Sequence, residues 1–147
     1  MPTTFAPADP GFEGKVRESF SRLTLMSTIG ARLVSVAPGE VEIDMPVRED
    51  LTQQHGYVAA AIVTAIVDTA CGYAAMSLMP VGANVLTVEY KVNFMSPARG
   101  ARLVAHGRVV KPGRALTVCA GEVYAVSDET RKPIAAMLGT MVTVEDA

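Results

Sequence analysis

The chain has 147 residues, half of them hydrophobic, enough for one domain with a real core and little disorder away from the ends. Thirteen Lys and Arg against fifteen Asp and Glu leave a formal charge of −2. That balance excludes a nucleic-acid binder working through a global basic field and leaves any anionic ligand to local patches.

Residues 1–13 read as a short Pro-rich arm without the basic and apolar regions of a secretion signal, ahead of a single domain over 14–147. Within 14–25, Val16, Phe20 and Leu23 alternate with Lys15, Arg17, Glu18 and Arg22, a pattern that predicts a short amphipathic helix lying on the surface. After Gly30 the period changes to two. Val41, Ile43, Met45 and Val47 alternate with polar residues behind the Pro38-Gly39 turn, so a hairpin of two half-buried strands is expected. A polar loop over 49–56 leads into a long apolar helix over 58–79, closed by Pro80 and Gly82. That helix is long enough for a bilayer, but it is rich in Ala, Gly and Thr, carries a central acid and lacks flanking Lys or Arg. No membrane span is expected; a helix apolar all round also suits one wrapped by a sheet.

Four further strands are predicted at 85–94, 101–110, 114–127 and 134–144, separated by Pro- and Gly-containing turns. In the first, strict alternation puts Leu86, Val88, Tyr90, Val92 and Phe94 on one face and Thr87, Glu89, Lys91 and Asn93 on the other. The economical arrangement is α+β: a curved antiparallel sheet of about six strands wrapped around one long apolar helix, with a short N-terminal helix. Cys71 and Cys119 sit in apolar segments without metal-ligand spacing and read as reduced core residues of a cytoplasmic protein. No zinc spacing and no Gly-x-Ser-x-Gly elbow is present, so a metal hydrolase and a serine hydrolase both fit poorly; no cofactor is expected.

Asp68 is the lone charge in the helix. An ionised acid among apolar residues costs several kcal/mol unless it is paired or neutralised, so it marks the place to look for chemistry. Its structural alternative is an acid capped by a neighbouring hydroxyl such as Thr64.

The loop LTQQHGYV at 51–58, the helix segment AIVDTACGYAA at 65–75 and the strand LTVEYKVNFMSPARG at 86–100 together resemble the hotdog-fold thioesterases of the phenylacetate-degradation (PaaI-like) group. The similarity runs from about Gly30 to the end. It implies hydrolysis of acyl-CoA thioesters without a metal, by homodimers or dimers of dimers with active sites across the subunit interface; a homotetramer is the expected assembly. Asp68 then corresponds to the general base or nucleophile, Gln53 to the polar residue that positions thioester or water, and Thr87 to a hydroxyl from the later strand. The family usually has His-Gly-Gly or His-Ala-Gly at the helix start, where this chain has Ala59, Ala60 and Ala61. The oxyanion donor of that motif is a backbone N–H, which Ala60 also supplies. The imidazole is missing at position 59, and His55 does not stand in for it.

CoA is part of the substrate, and its phosphates favour Arg and Lys. The turns that resemble CoA-binding segments contain Ser96, Pro97 and Arg99, and Lys111, Gly113 and Arg114. Two other classes compete. A non-catalytic acyl-CoA binding hotdog protein is suggested by the three alanines, and a hotdog dehydratase or hydratase would need an acid paired with a histidine, for which no histidine is suitably positioned.

Overall fold

The computed structural model describes residues 4–128 and 130–145. Two short helices come first, α1 (Phe12–Arg22) and α2 (Thr24–Ile29), followed by strands β1 (Arg32–Ala37) and β2 (Glu40–Pro46). After a single 3-10 turn at Glu49–Leu51 comes the long helix α3 (Ala60–Met76), then β3 (Ala83–Phe94), β4 (Arg102–Lys111), β5 (Leu116–Ser127) and β6 (Thr130–Glu145). The six strands form one antiparallel sheet in the order β1-β2-β4-β5-β6-β3, with β1 and β3 at its edges. α3 contacts β2, β3, β4, β5 and β6, so the sheet wraps it as expected for the hotdog arrangement.

The sheet meets the helix at two paired glycines. Gly107 of β4 lies opposite Gly121 of β5. A Cβ on Gly107 would lie 2.4 Å from the Ala70 carbonyl carbon and 2.5 Å from the Cys71 nitrogen, and one on Gly121 would lie 2.6 Å from Val67 Cγ2. Glycine lets β4 come this near the helix backbone and β5 this near the Val67 and Cys71 side chains, and alanines on α3 keep the opposing surface low. At the far end the buried Ser77 hydroxyl donates to the Ala74 carbonyl at 2.6 Å and accepts from Gly39 N–H at 2.7 Å, tying the helix terminus to the β1–β2 turn. Cys71 and Cys119 are free and buried among these elements. Burial pushes the Cys119 thiol up to about 12 and raises that of Cys71 as well, so both stay protonated core side chains.

Three expectations need correction. The N-terminal helix does not run through 14–25: α1 starts at Phe12, and Leu23, with extended backbone (φ −82°, ψ 91°), breaks it from α2 while packing on the core. The long helix is shorter than 58–79, because Val58 N–H is taken by Ala98 O at 2.8 Å and Ala59 N–H by Leu51 O at 2.9 Å, which holds both residues in the preceding loop. In β3 the strict alternation fails. The register with β6 slips between Thr87 and Glu89, so Thr87 opposes Met141 while Tyr90, Val92 and Phe94 oppose Gly139, Met137 and Ala135. Those β6 residues line the core face, and the bulge at Val88 therefore brings Thr87 to the same side as Tyr90, Val92 and Phe94. Leu86 moves to the outer face with Glu89, Lys91 and Asn93.

Candidate active site

Asp68 lies midway along α3, half-buried, on the flank of the helix that faces β3. Thr87 Oγ1 donates to Asp68 Oδ1 at 2.8 Å. This hydrogen bond depends on the Val88 bulge, since Thr87 can share the helix-facing side with Tyr90, Val92 and Phe94 only if the alternation is broken. Burial raises the Asp68 pKa above its ordinary value, and the Thr87 bond pulls it partly back. The result is a carboxylate of increased basicity with Oδ1 held and Oδ2 free of any protein partner among the described residues, which suits a proton acceptor or a nucleophile. Beside it a pocket of about 210 Å³ is lined by Ser19 of α1 and Leu23 between α1 and α2, Thr69, Gly72, Tyr73 and Met76 of α3, and Asn84, Val85 and Thr87 of β3. Of the neighbouring hydroxyls it is Thr87 rather than Thr64 that caps the acid, since the Thr64 hydroxyl donates to Ala60 O at 2.9 Å.

A second pocket, about 330 Å³, surrounds the start of α3, with Gln53, Val58, Ala59, Ala60, Val63, Phe94, Ser96, Ala98 and Ile134 as its lining. Gln53 Oε1 accepts from His55 N–H at 2.6 Å and Tyr57 N–H at 3.4 Å, so its oxygen is committed to its own loop and the amide donors remain for a ligand. Ala60 N–H is a first-turn donor with no backbone acceptor among the described residues, and the helix start has neither a side-chain cap nor an acidic residue in its first turn. Its donors and the positive end of the helix dipole are open toward this pocket.

The four expected catalytic residues thus form two pairs. Asp68 and Thr87 share one pocket; Gln53 and Ala60 share the other. Eight residues of α3 separate Ala60 from Asp68, which is about 12 Å along the axis. The expected CoA-binding residues divide in the same way. Ser96 lines the Gln53 pocket, exposed Pro97 follows it, and the Arg99 guanidinium lies 6.0 Å from the centre of the Tyr57 ring at the same end. Lys111, Gly113 and Arg114 lie at and just beyond the other end of the ten-residue β4, about 30 Å away. There Lys111 Nζ donates to Pro112 O at 3.4 Å, Gly113 N–H to Thr117 Oγ1 at 3.5 Å, and Arg114 is exposed. His106 sits on the outer face of the sheet between Glu40 at 3.4 Å and Glu122 at 3.7 Å, away from both pockets.

Sequence reasoning named Met76 as a pocket residue and Thr87 as a site residue but missed the others that share the Asp68 pocket. Gly72 and Tyr73 follow Asp68 at helical spacing and were legible from that period alone, whereas Ser19 of α1 and Leu23 just after it come from a segment whose docking against α3 nothing in the sequence announces.

The chain matches the Thioesterase superfamily over residues 55–132. A thioesterase family protein from Silicibacter pomeroyi superposes with a TM-score of 0.91 at 49% identity, covering 92% of this chain and 100% of that one. A Halobacterium salinarum protein provisionally named an esterase is 34% identical over 109 residues, 71% of this chain and 72% of its own length. The E. coli PaaI protein from the phenylacetic acid degradation operon shares the fold at a TM-score of 0.84 and 17% identity, with 95% of this chain and 98% of that one covered.

Proposed function

Since the chain belongs to the thioesterase superfamily and has the hotdog fold of the PaaI-like group, we propose that it hydrolyses acyl-CoA thioesters to free acid and CoA. The observation that carries this reading is the Asp68 carboxylate, made more basic by burial and oriented by Thr87 at 2.8 Å beside a pocket. Asp68 Oδ2 takes a proton from water as its oxygen attacks the thioester carbonyl, the resulting oxyanion accepts from Ala60 N–H, and collapse expels the CoA thiolate, which takes up a proton. In the variant form Oδ2 itself attacks, giving an anhydride that water then opens. An oxygen label retained in the Asp68 carboxyl after one turnover distinguishes the second route.

Base and oxyanion donor must both lie within about 3 Å of the reacting atoms, which a separation of about 12 Å within one subunit does not allow. The reading therefore requires two copies, Asp68 and Thr87 from one acting with Gln53 and Ala60 of the other. Edge strand β3 supports such a pairing: over its twelve residues it leaves Leu86, Val88, Tyr90 and Phe94 between 44% and 60% exposed. A long apolar edge of this kind is a liability unless another strand covers it. In an antiparallel β3–β3 pairing, the Ser96, Pro97 and Arg99 turn of one copy approaches the end of the other that carries Lys111, Gly113 and Arg114, so both turns can serve one CoA.

A non-catalytic acyl-CoA binder is the second reading, favoured by the alanines at positions 59 to 61. Thiol release from an acyl-CoA panel separates the two. With wild-type protein hydrolysis is expected, and Asp68→Asn lowers it by roughly 10²-fold or more, the usual contribution of a positioned base. Hydrolysis left intact by Asp68→Asn would make the acid structural.

A further inference from the structure

Gly72 is buried in the middle of α3, yet nothing about its surroundings demands a glycine. A glycine inside a helix costs about 1 kcal/mol relative to alanine. At Gly107 and Gly121 the reason for accepting such a cost is close contact, with a Cβ running into α3 at 2.4 Å and 2.6 Å. At Gly72 an added Cβ would meet no atom within 4 Å, and the backbone is ordinary right-handed helix. The space that a side chain would occupy there belongs to the pocket beside Asp68. Four residues on from the acid, Gly72 lies on the same face one turn further, about 6 Å along the axis.

We propose that the acyl group enters this pocket between α1, α3 and β3 beside the thioester carbon, and that Gly72 sets how deep it can go. Its apolar lining comes from Leu23, Met76 and Val85, with the Asp68 carboxylate at one end where the carbonyl carbon must sit. The far wall is pinned: Ser19 Oγ of α1 and the Tyr73 hydroxyl of α3 hydrogen-bond at 3.1 Å, and the Phe20 and Tyr73 rings meet with centroids 6.0 Å apart. α1 therefore forms one wall of the pocket, beyond the role of a surface prop.

The inference rests on the thioesterase reading, and its test distinguishes the two. The rates kcat/KM for acetyl-, hexanoyl-, phenylacetyl- and palmitoyl-CoA are measured by thiol release with wild-type protein, Gly72→Ala and Gly72→Val, with a thermal melt confirming the fold of each. The hexanoyl-to-acetyl ratio is expected to fall about threefold in Gly72→Ala and about tenfold or more in Gly72→Val, as filling a pocket by one or three carbon atoms does. Should Gly72→Val fail to fold, the Gly72→Ala ratio decides, because alanine favours the helix. A ratio unchanged in the folded variants, with hydrolysis present, overturns the acyl site and leaves the thioesterase reading standing. No hydrolysis of any thioester by wild type removes both.

Discussion

Replacing Gly107 with alanine tests how the sheet sets the height of the central helix. The new Cβ would sit 2.4 Å from the Ala70 carbonyl carbon, 2.5 Å from the Cys71 nitrogen and 2.6 Å from the Ala70 oxygen, all backbone atoms that cannot swing aside. An ordinary contact needs at least 3.4 Å, so α3 and β4 must part by about 1 Å. Overpacking of this kind costs about 1–3 kcal/mol, and against backbone the upper end applies. For a chain of this size each kcal/mol moves Tm by roughly 2–4 °C, which gives a loss of about 6–12 °C by differential scanning calorimetry. The contact falls one turn or less from Asp68, so the same displacement draws the carboxylate away from Thr87 Oγ1 at 2.8 Å, and thioester hydrolysis falls with stability. A Gly107→Ala variant that melts with wild type would refute the claim that paired glycines set the helix–sheet distance.

Asp68→Asn is expected to raise Tm at neutral pH. Because burial lifts the Asp68 pKa above 3.8, the fold penalises the ionised form; the penalty is absent below the unfolded pKa, grows as pH rises through the folded pKa and is complete above it. The gain in Tm from Asn should therefore be full at pH 7 and vanish in acid, and a gain independent of pH would contradict the sign. Thr87→Val removes the hydrogen bond that holds this pKa down, so the acid limb of the kcat/KM profile should move to higher pH; a limb that stays in place would sever Thr87 from the acid. Val88→Lys addresses assembly. Val88 lies near the middle of β3 and is 55% exposed, so antiparallel self-pairing sets two such lysines close to the two-fold axis, and light scattering at micromolar concentration should show the dimer mass shifting toward monomer. An unchanged mass would mean that β3 is not the joint.

The sheet and central helix were legible because their signals are local and mutually consistent. The apolar run around Asp68 is bounded by Pro80 and Gly82, and the strand after the Pro38-Gly39 turn alternates cleanly. Asp68 itself was legible as a lone charge. The Val88 bulge was not: no glycine or proline marks it, and it emerges only from the pairing of β3 with β6, which spans residues far apart in sequence. The break at Leu23 is hidden for a similar reason, since a leucine there satisfies the amphipathic period whether or not the helix continues. The division of the site was readable in principle. Eight helical steps from Ala60 to Asp68, and a ten-residue strand between the turn at 96–99 and the turn at 111–114, already imply distances too large for one subunit. Which copy supplies which half depends on an interface that single-chain patterns do not encode.

The central claim is that each active site joins the Asp68 half of one subunit to the Gln53 and Ala60 half of another. Mixing subunits tests it most directly: Asp68→Asn and Gln53→Ala proteins, each depressed in thioester hydrolysis alone, are unfolded together and refolded at equal amounts. In a mixed dimer one site collects both lesions and the other has neither. Random reassortment makes about half of the dimers mixed, so activity should return to about a quarter of the wild-type value. Activity no higher than the mean of the two parents would contradict a shared site and would confine the chemistry to one subunit.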